Sequence, residues 1–215
     1  LHNGFVPAVI ERCLLSDRMQ KRMTHSASLI PRVALVGYRC TGKTTVGRLL
    51  AHEWKLPFVD LDLEIRKVLG MDVARFVLDQ GWEPFRDIET KLLARCGRET
   101  PCILATGGGV VESEISRRRL KECFFTVWLT ASAATIRARM TSDPTSEHQR
   151  PSLTGISPEE EVEGLLARRA PWYEECAHAM VSTEGVPPEE VAEQIRRIVR
   201  RQGIRQDQKD DTGCP

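Results

Sequence analysis

Between a β-rich run and an amphipathic run, the chain reads GYRCTGKT from Gly37 to Thr44. The spacing G-x-x-x-x-G-K-[ST] constrains the fold more than any other stretch. It needs a strand before it and a helix after it, because its amides must converge where a helix N-terminus is positive. Both flanks are present. "RVALVG" (32–37) ends on glycine and reads as a buried strand, and "KTTVGRLLAHEW" (43–54) carries apolar residues at helical spacing. The N–H groups of Tyr38, Arg39, Cys40, Thr41, Gly42, Lys43 and Thr44 can then wrap a phosphate. Lys43 would reach the β- and γ-phosphates, and Thr44 would place a hydroxyl on Mg²⁺. The loop specifies ATP or GTP and names no reaction.

Further motifs follow in order. "LPFVDLD" (56–62) reads as a second strand ending in acids. On an extended backbone Asp60 and Asp62 face one side, at the strand end where open α/β sheets bind ligands. One could hold water on Mg²⁺ and the other orient or deprotonate an attacking hydroxyl; equally, both could cap the next helix. Helical patterns cover 64–69 and 72–97, broken at Gly70 and Gly81. Within them Arg86 and Glu89 are three apart and can pair, which fixes a guanidinium for a carboxylate but taken alone reads first as a surface ion pair. "PCILAT" (101–106) is a third strand, stopped by Gly107, Gly108 and Gly109, whose main chain is open to close approach by a ligand.

A helix at about 112–121, a strand in "CFFTVWLT" (123–130) and a helix in "ASAATIRARM" (131–140) come next. Residues 141–158 have no period and are rich in Pro, Ser, Thr and Gly, which predicts a long mobile loop; on it Arg150 precedes Pro151 and could close over a transferring phosphate. "EEEVEGLLARRAPWYEE" (159–175) reads as helical around a break at Pro171, with Arg168 and Arg169 just before the break. "HAMVST" (178–183) is a fifth strand, and "PPEEVAEQIRRIVRRQG" (187–203) has a helix's proline start, early acids, late arginines and closing glycine. The polar stretch 204–215 reads as a disordered tail. Strands alternating with helices imply an α/β fold with a mainly parallel sheet.

The length of 215 residues suits one domain, and a net charge of +1 leaves no footprint for nucleic acid or a membrane surface. Any anion site must therefore be a local cluster. Seven cysteines without metal-ligand spacing read as reduced thiols in a cytosolic protein. No apolar run has the length of a membrane span. The first thirty residues lack a secretory apolar core, and Glu11 and Asp17 interrupt a transit-peptide pattern. With Leu1 first and methionines at 19 and 23, the reading is that translation begins at Met23 and that 1–22 lies upstream.

Taken in order, the loop, "DLD", "FR", "GGG", "RP" and "RxPxY" resemble shikimate kinase over about residues 30–203. "GWEPFR" and "RRAPWYEEC" resemble especially the kinase segment of multifunctional aromatic-pathway polypeptides. The resemblance implies a P-loop fold of the nucleoside monophosphate kinase type, with a five-stranded parallel sheet, helices on both faces and a mobile lid. It divides the chain into an N-terminal extension (1–28), a kinase domain (29–203, lid about 141–158) and the tail. It implies transfer of the γ-phosphoryl of ATP to the 3-hydroxyl of shikimate, in chorismate and aromatic amino-acid biosynthesis, by a cytoplasmic monomer without nucleic-acid or membrane partners.

Carried over by position, ATP contacts would run from Tyr38 through Thr45 and include Arg139 and Arg150. Lys43, Asp62 and Arg150 would be catalytic, with Asp62 binding substrate hydroxyls and acting as base; Thr44 and Asp60 would hold Mg²⁺. Arg86 and Arg169 would clamp the shikimate carboxylate, with Glu89 behind Arg86 and Gly107, Gly108 and Gly109 lining the site. Arg139 would stack on adenine, near Pro187 or Pro188. Cys40 stands where the family often carries glycine. Two other readings remain: a shikimate-sensing regulatory domain, and a related small-molecule kinase such as gluconate kinase.

Overall fold

The computed structural model describes residues 32–98, 100–142 and 158–210. The segments 1–28 and 211–215, Arg150 and most of the expected lid lie outside these residues. Among the described residues, five parallel strands form one sheet in the order β2-β3-β1-β4-β5. These are β1 (Val33–Val36), β2 (Phe58–Asp60), β3 (Ile103–Ala105), β4 (Phe125–Thr130) and β5 (Ala179–Ser182). The connection from β1 runs toward β2 and that from β4 toward β5, so the sheet has a switch point between β1 and β4. Crevices form at the carboxyl ends of strands at such points.

The helices are α1 (Lys43–Trp54), α2 (Leu61–Leu69), α3 (Val73–Gln80), α4 (Trp82–Cys96), α5 (Glu114–Cys123), α6 (Ala133–Ser142), α7 (Pro158–Cys176) and α8 (Pro188–Asp210). A single 3₁₀ turn (Val110–Glu112) joins β3 to α5.

The sheet has a core on each face because side chains alternate along a strand. Val33 and Leu35 point to a core shared with Val46 and Leu50 of α1 and Ile195 of α8. Ala34 and Val36 point the other way, to Ile65 of α2, Phe85 of α4, Leu120 of α5 and Tyr173 of α7. A small third cluster joins Tyr38 to Ile136 of α6 and to Val162 and Leu165 of α7. It anchors the phosphate loop to the helices flanking the expected lid.

Three expectations are corrected. The strand "LPFVDLD" is shorter than read: β2 ends at Asp60 and Asp62 stands in the first turn of α2. The two acids therefore do not share one face of a strand. Asp60 caps α2, its Oδ1 accepting from the Leu63 N–H at 3.3 Å. Second, α7 continues through Pro171. An interior proline removes one helix hydrogen bond and costs about 3 kcal/mol. That cost is offset by the burial of Val162, Leu165, Tyr173 and Cys176 along the same helix at about 1.5–3 kcal/mol for a large apolar side chain. Third, α8 runs past Gly203 to Asp210, so 204–210 is helix and not disordered tail.

No helix among the described residues is long and apolar enough to cross a membrane. Leu104 of β3, the strand between β2 and β1, is fully buried. Leu104→Ala should lower stability by about 2–5 kcal/mol, read as a shifted denaturant midpoint at unchanged slope.

Candidate functional site

The phosphate loop is bent by residues that accept a left-handed backbone. Gly37 has φ 141°, and a side chain there would overlap the Leu129 carbonyl of β4. Gly42 (φ 87°) then turns the chain into α1. Cys40 also lies in the left-handed region, at φ 59°, where a non-glycine residue is strained by roughly 1–2 kcal/mol. The Tyr38 carbonyl is the hub of the turn. It accepts from Thr41 Oγ1 at 2.7 Å and from Lys43 Nζ at 2.6 Å.

Helix α1 starts without a capping side chain and without an acid in its first turn, and it puts the buried Lys43 there instead. A first turn so composed is mismatched to the helix dipole unless an anion sits beside it. Close by, Thr44 Oγ1 donates to Asp60 Oδ2 at 3.0 Å. Asp60 thus joins the start of α1 to the start of α2, while Asp62 is half-buried one residue into α2.

Across the site, Arg86, Arg168 and Arg169 converge on one residue that sequence reasoning missed. Glu112 Oε2 accepts from Arg86 Nη2 at 2.7 Å. Its Oε1 accepts from Arg169 Nη2 at 2.7 Å, Arg169 Nε at 2.9 Å and Arg168 Nη2 at 3.0 Å. Arg86 Nη1 also donates to Glu89 Oε2 at 2.7 Å, so the expected pair is present, and it is largely buried rather than a surface contact. Burial opposes ionisation of Glu112, but Arg169 and then Arg86 outweigh it and hold the carboxyl below its ordinary range. Burial likewise works against the charge on Arg86, and Glu89 followed by Glu112 overrides it, raising its pKa. Both shifts favour the charged forms of Glu112 and Arg86.

The glycine run links this cluster to the phosphate loop. A side chain at Gly109 would strike the Arg86 guanidinium, whose Cζ would lie 2.8 Å from the new carbon. A Cβ at Gly108 would come within 3.3 Å of the Arg39 amide. Gly108 accepts from the Tyr173 hydroxyl at 2.5 Å, Gly107 from the Val110 N–H at 3.2 Å, and Gly109 from the Glu112 N–H at 3.0 Å. Each carbonyl of the run thus already accepts one hydrogen bond within the protein. Arg169 lies over the Tyr38 ring, 5.9 Å from its centroid.

Of the residues read from the sequence, the structure assembles Tyr38, Lys43, Thr44, Asp60, Asp62, Arg86, Glu89, the three glycines and Arg169 at the carboxyl ends of β1, β2 and β3. Arg139 donates to the Cys40 carbonyl at 3.1 Å and to the Thr183 carbonyl at 2.6 Å. It braces the phosphate loop against the chain leaving β5. No local signal marked Glu112, which lies 26 residues from Arg86 and 57 from Arg169.

A family model described as shikimate kinase matches residues 39–200. Shikimate kinase 2 of Photorhabdus laumondii is 37% identical over 165 residues, covering 77% of this chain and 93% of the relative. Shikimate kinase of Nitratidesulfovibrio vulgaris is 39% identical over 155 residues, covering 72% and 87%. Among solved structures, a shikimate kinase from Acinetobacter baumannii in complex with shikimate is similar with a TM-score of 0.74 and 31% identity, covering 81% of this chain and 95% of that one.

Cys40 is partly exposed on the phosphate loop. Alkylation of the thiol should block nucleotide binding by bulk, bound ATP should slow the modification, and Cys40→Gly should be insensitive. Full inhibition of that variant by the same reagent would place the sensitive thiol elsewhere.

Proposed function

The chain belongs to the shikimate kinase family, and from that premise we propose that it transfers the γ-phosphoryl of ATP to the 3-hydroxyl of shikimate, giving shikimate 3-phosphate and ADP. The observation that carries the reading is the pairing of two unlike anion sites. An uncapped helix start with Lys43 faces the end of β1. An arginine pair, the buried Arg169 and the largely buried Arg86, stands beyond the glycine run. The first suits a polyphosphate, and the second suits a carboxylate bound by planar, fork-shaped donors.

Each residue then has a task. Lys43 exchanges its bond to the Tyr38 carbonyl for the β- and γ-phosphates. Asp62 orients the 3-hydroxyl and takes its proton as that oxygen bonds to the γ-phosphorus; the bond from phosphorus to the β–γ bridging oxygen breaks, and ADP leaves with that electron pair. Arg86 and Arg169 hold the carboxylate, so the ring's position is set from the end opposite the reacting hydroxyl. Arg150 would close over the phosphates, as would Arg139 over adenine once it releases Thr183.

The Thr44 hydroxyl and Asp60 carboxylate are adjacent hard oxygen ligands and fit Mg²⁺. Mg²⁺ would neutralise charge on the β- and γ-oxygens when bound. We extend the reading to a kinase domain at 29–203, an N-terminal extension at 1–28, a lid at about 141–158, and a monomeric cytoplasmic protein.

The direct test is ADP release by folded protein with Mg-ATP and a panel of shikimate, gluconate and nucleoside monophosphates. Shikimate alone should support turnover; its failure to do so overturns the reading. Asp62→Asn should lower kcat by about 10²–10⁴-fold with ATP affinity unchanged. Arg86→Ala should raise the shikimate KM by about 10–100-fold, the loss of one charge-assisted hydrogen-bonded contact, and leave the ATP KM in place.

A further inference from the structure

The carboxylate clamp described above already holds a carboxylate. Glu112 meets the Nε–Nη2 edge of Arg169 and an Nη of Arg86, the donor geometry by which guanidinium groups recognise a carboxylate ligand. Its place differs from that of Glu89. The Glu89 side chain is 0% exposed and backs Arg86 from within the core, whereas Glu112 is 25% exposed and covers arginines that are themselves only 15% and 5% exposed. Glu112 is thus the more solvent-facing partner of both. Its backbone is fixed, because Val110 and Val111 are fully buried and the Glu112 N–H is bonded to Gly109. Its side chain can leave by rotation alone.

Among the described residues, three guanidinium groups in this cluster, those of Arg86, Arg168 and Arg169, meet two carboxylates, Glu89 and Glu112. The cluster is one anion short of neutrality with Glu112 in place. An incoming carboxylate therefore finds net attraction, but the best donor edge is taken.

Building on the proposed acceptor, we propose that Glu112 sets the clamp's affinity for carboxylates: it occupies the Arg86–Arg169 clamp in the empty protein as a tethered rival carboxylate, which the substrate's carboxylate must displace. A tethered group competes at an effective concentration of millimolar or more. A ligand offering only a carboxylate cannot displace it at lower concentrations. A ligand that also binds through ring hydroxyls, to Asp62 and the glycine N–H groups, can. The exchange raises by one common factor the concentration at which any carboxylate fills the clamp, because apparent affinity falls by the fraction of clamps that are open; only a ligand with further contacts still binds at low concentration.

Two variants test this. Glu112→Gln removes the charge at constant shape; Glu112→Asp keeps the charge but shortens the reach. Shikimate KM and the calorimetric Kd should fall in both by about tenfold, as for a clamp open roughly a tenth of the time, with the ATP KM unchanged. Cyclohexanecarboxylate, which lacks ring hydroxyls, should bind both variants about tenfold more tightly than it binds the parent. A shikimate KM that rises or stays constant in both variants would make Glu112 a support for the clamp and overturn the proposal. A gain in Glu112→Gln alone would reduce the effect to general electrostatics and overturn it too. Should the parent protein bind shikimate but not phosphorylate it, the assigned reaction fails while the two binding measurements still decide the role of Glu112.

Discussion

One carboxylate connects the acceptor side of this molecule. Glu112 ends the 3₁₀ turn after β3, and its bonds to Arg86 and Arg169 join that turn to α4 and α7. With neither it nor a ligand carboxylate in place, largely buried guanidinium groups would face each other with Glu89 alone to balance them, a costly arrangement away from water. The position of Gly109 follows from the same contact, since Arg86 packs where a side chain would be. Because α7 is continuous across Pro171, it carries Arg168, Arg169 and Tyr173 to the cluster on one helix.

The phosphate side is organised differently, by backbone. The Tyr38 carbonyl gathers Thr41 and Lys43, while Gly37 presses against β4. The two sides meet through the Tyr38 ring beneath Arg169 and through Gly108 beside Arg39. The phosphate loop and the arginine cluster are therefore joined by one continuous set of contacts. That continuity fixes how the backbones of the two sides stand relative to each other, while side chains such as Glu112 remain able to turn.

How readily a feature could be read depended on how far apart its residues lie. The phosphate loop was legible because eight consecutive residues and their two flanks contain everything it needs. Arg86 and Glu89 were legible as neighbours on one helical face. Asp60 and Asp62 were recognised as important, but their geometry was misjudged: capping by Asp60 pulled the next residue into helix, a choice that periodicity cannot resolve over so short a run. Pro171 misled for the opposite reason. Its local preference is to end a helix, and the buried face of α7 overrides it.

From the order of residues alone came the chemical inventory: a phosphate loop, paired acids, three glycines and separated arginines, in a sequence of strands and helices that admits a parallel sheet. These depend on spacing within a few residues, which the covalent chain dictates. Folding decided which arginine meets which acid, that Glu112 belongs among them, and that Arg139 grips Cys40 and Thr183. Those pairings join residues tens of positions apart. Their energy comes from charges brought together where water is largely excluded, an environment that exists once the sheet and helices have packed.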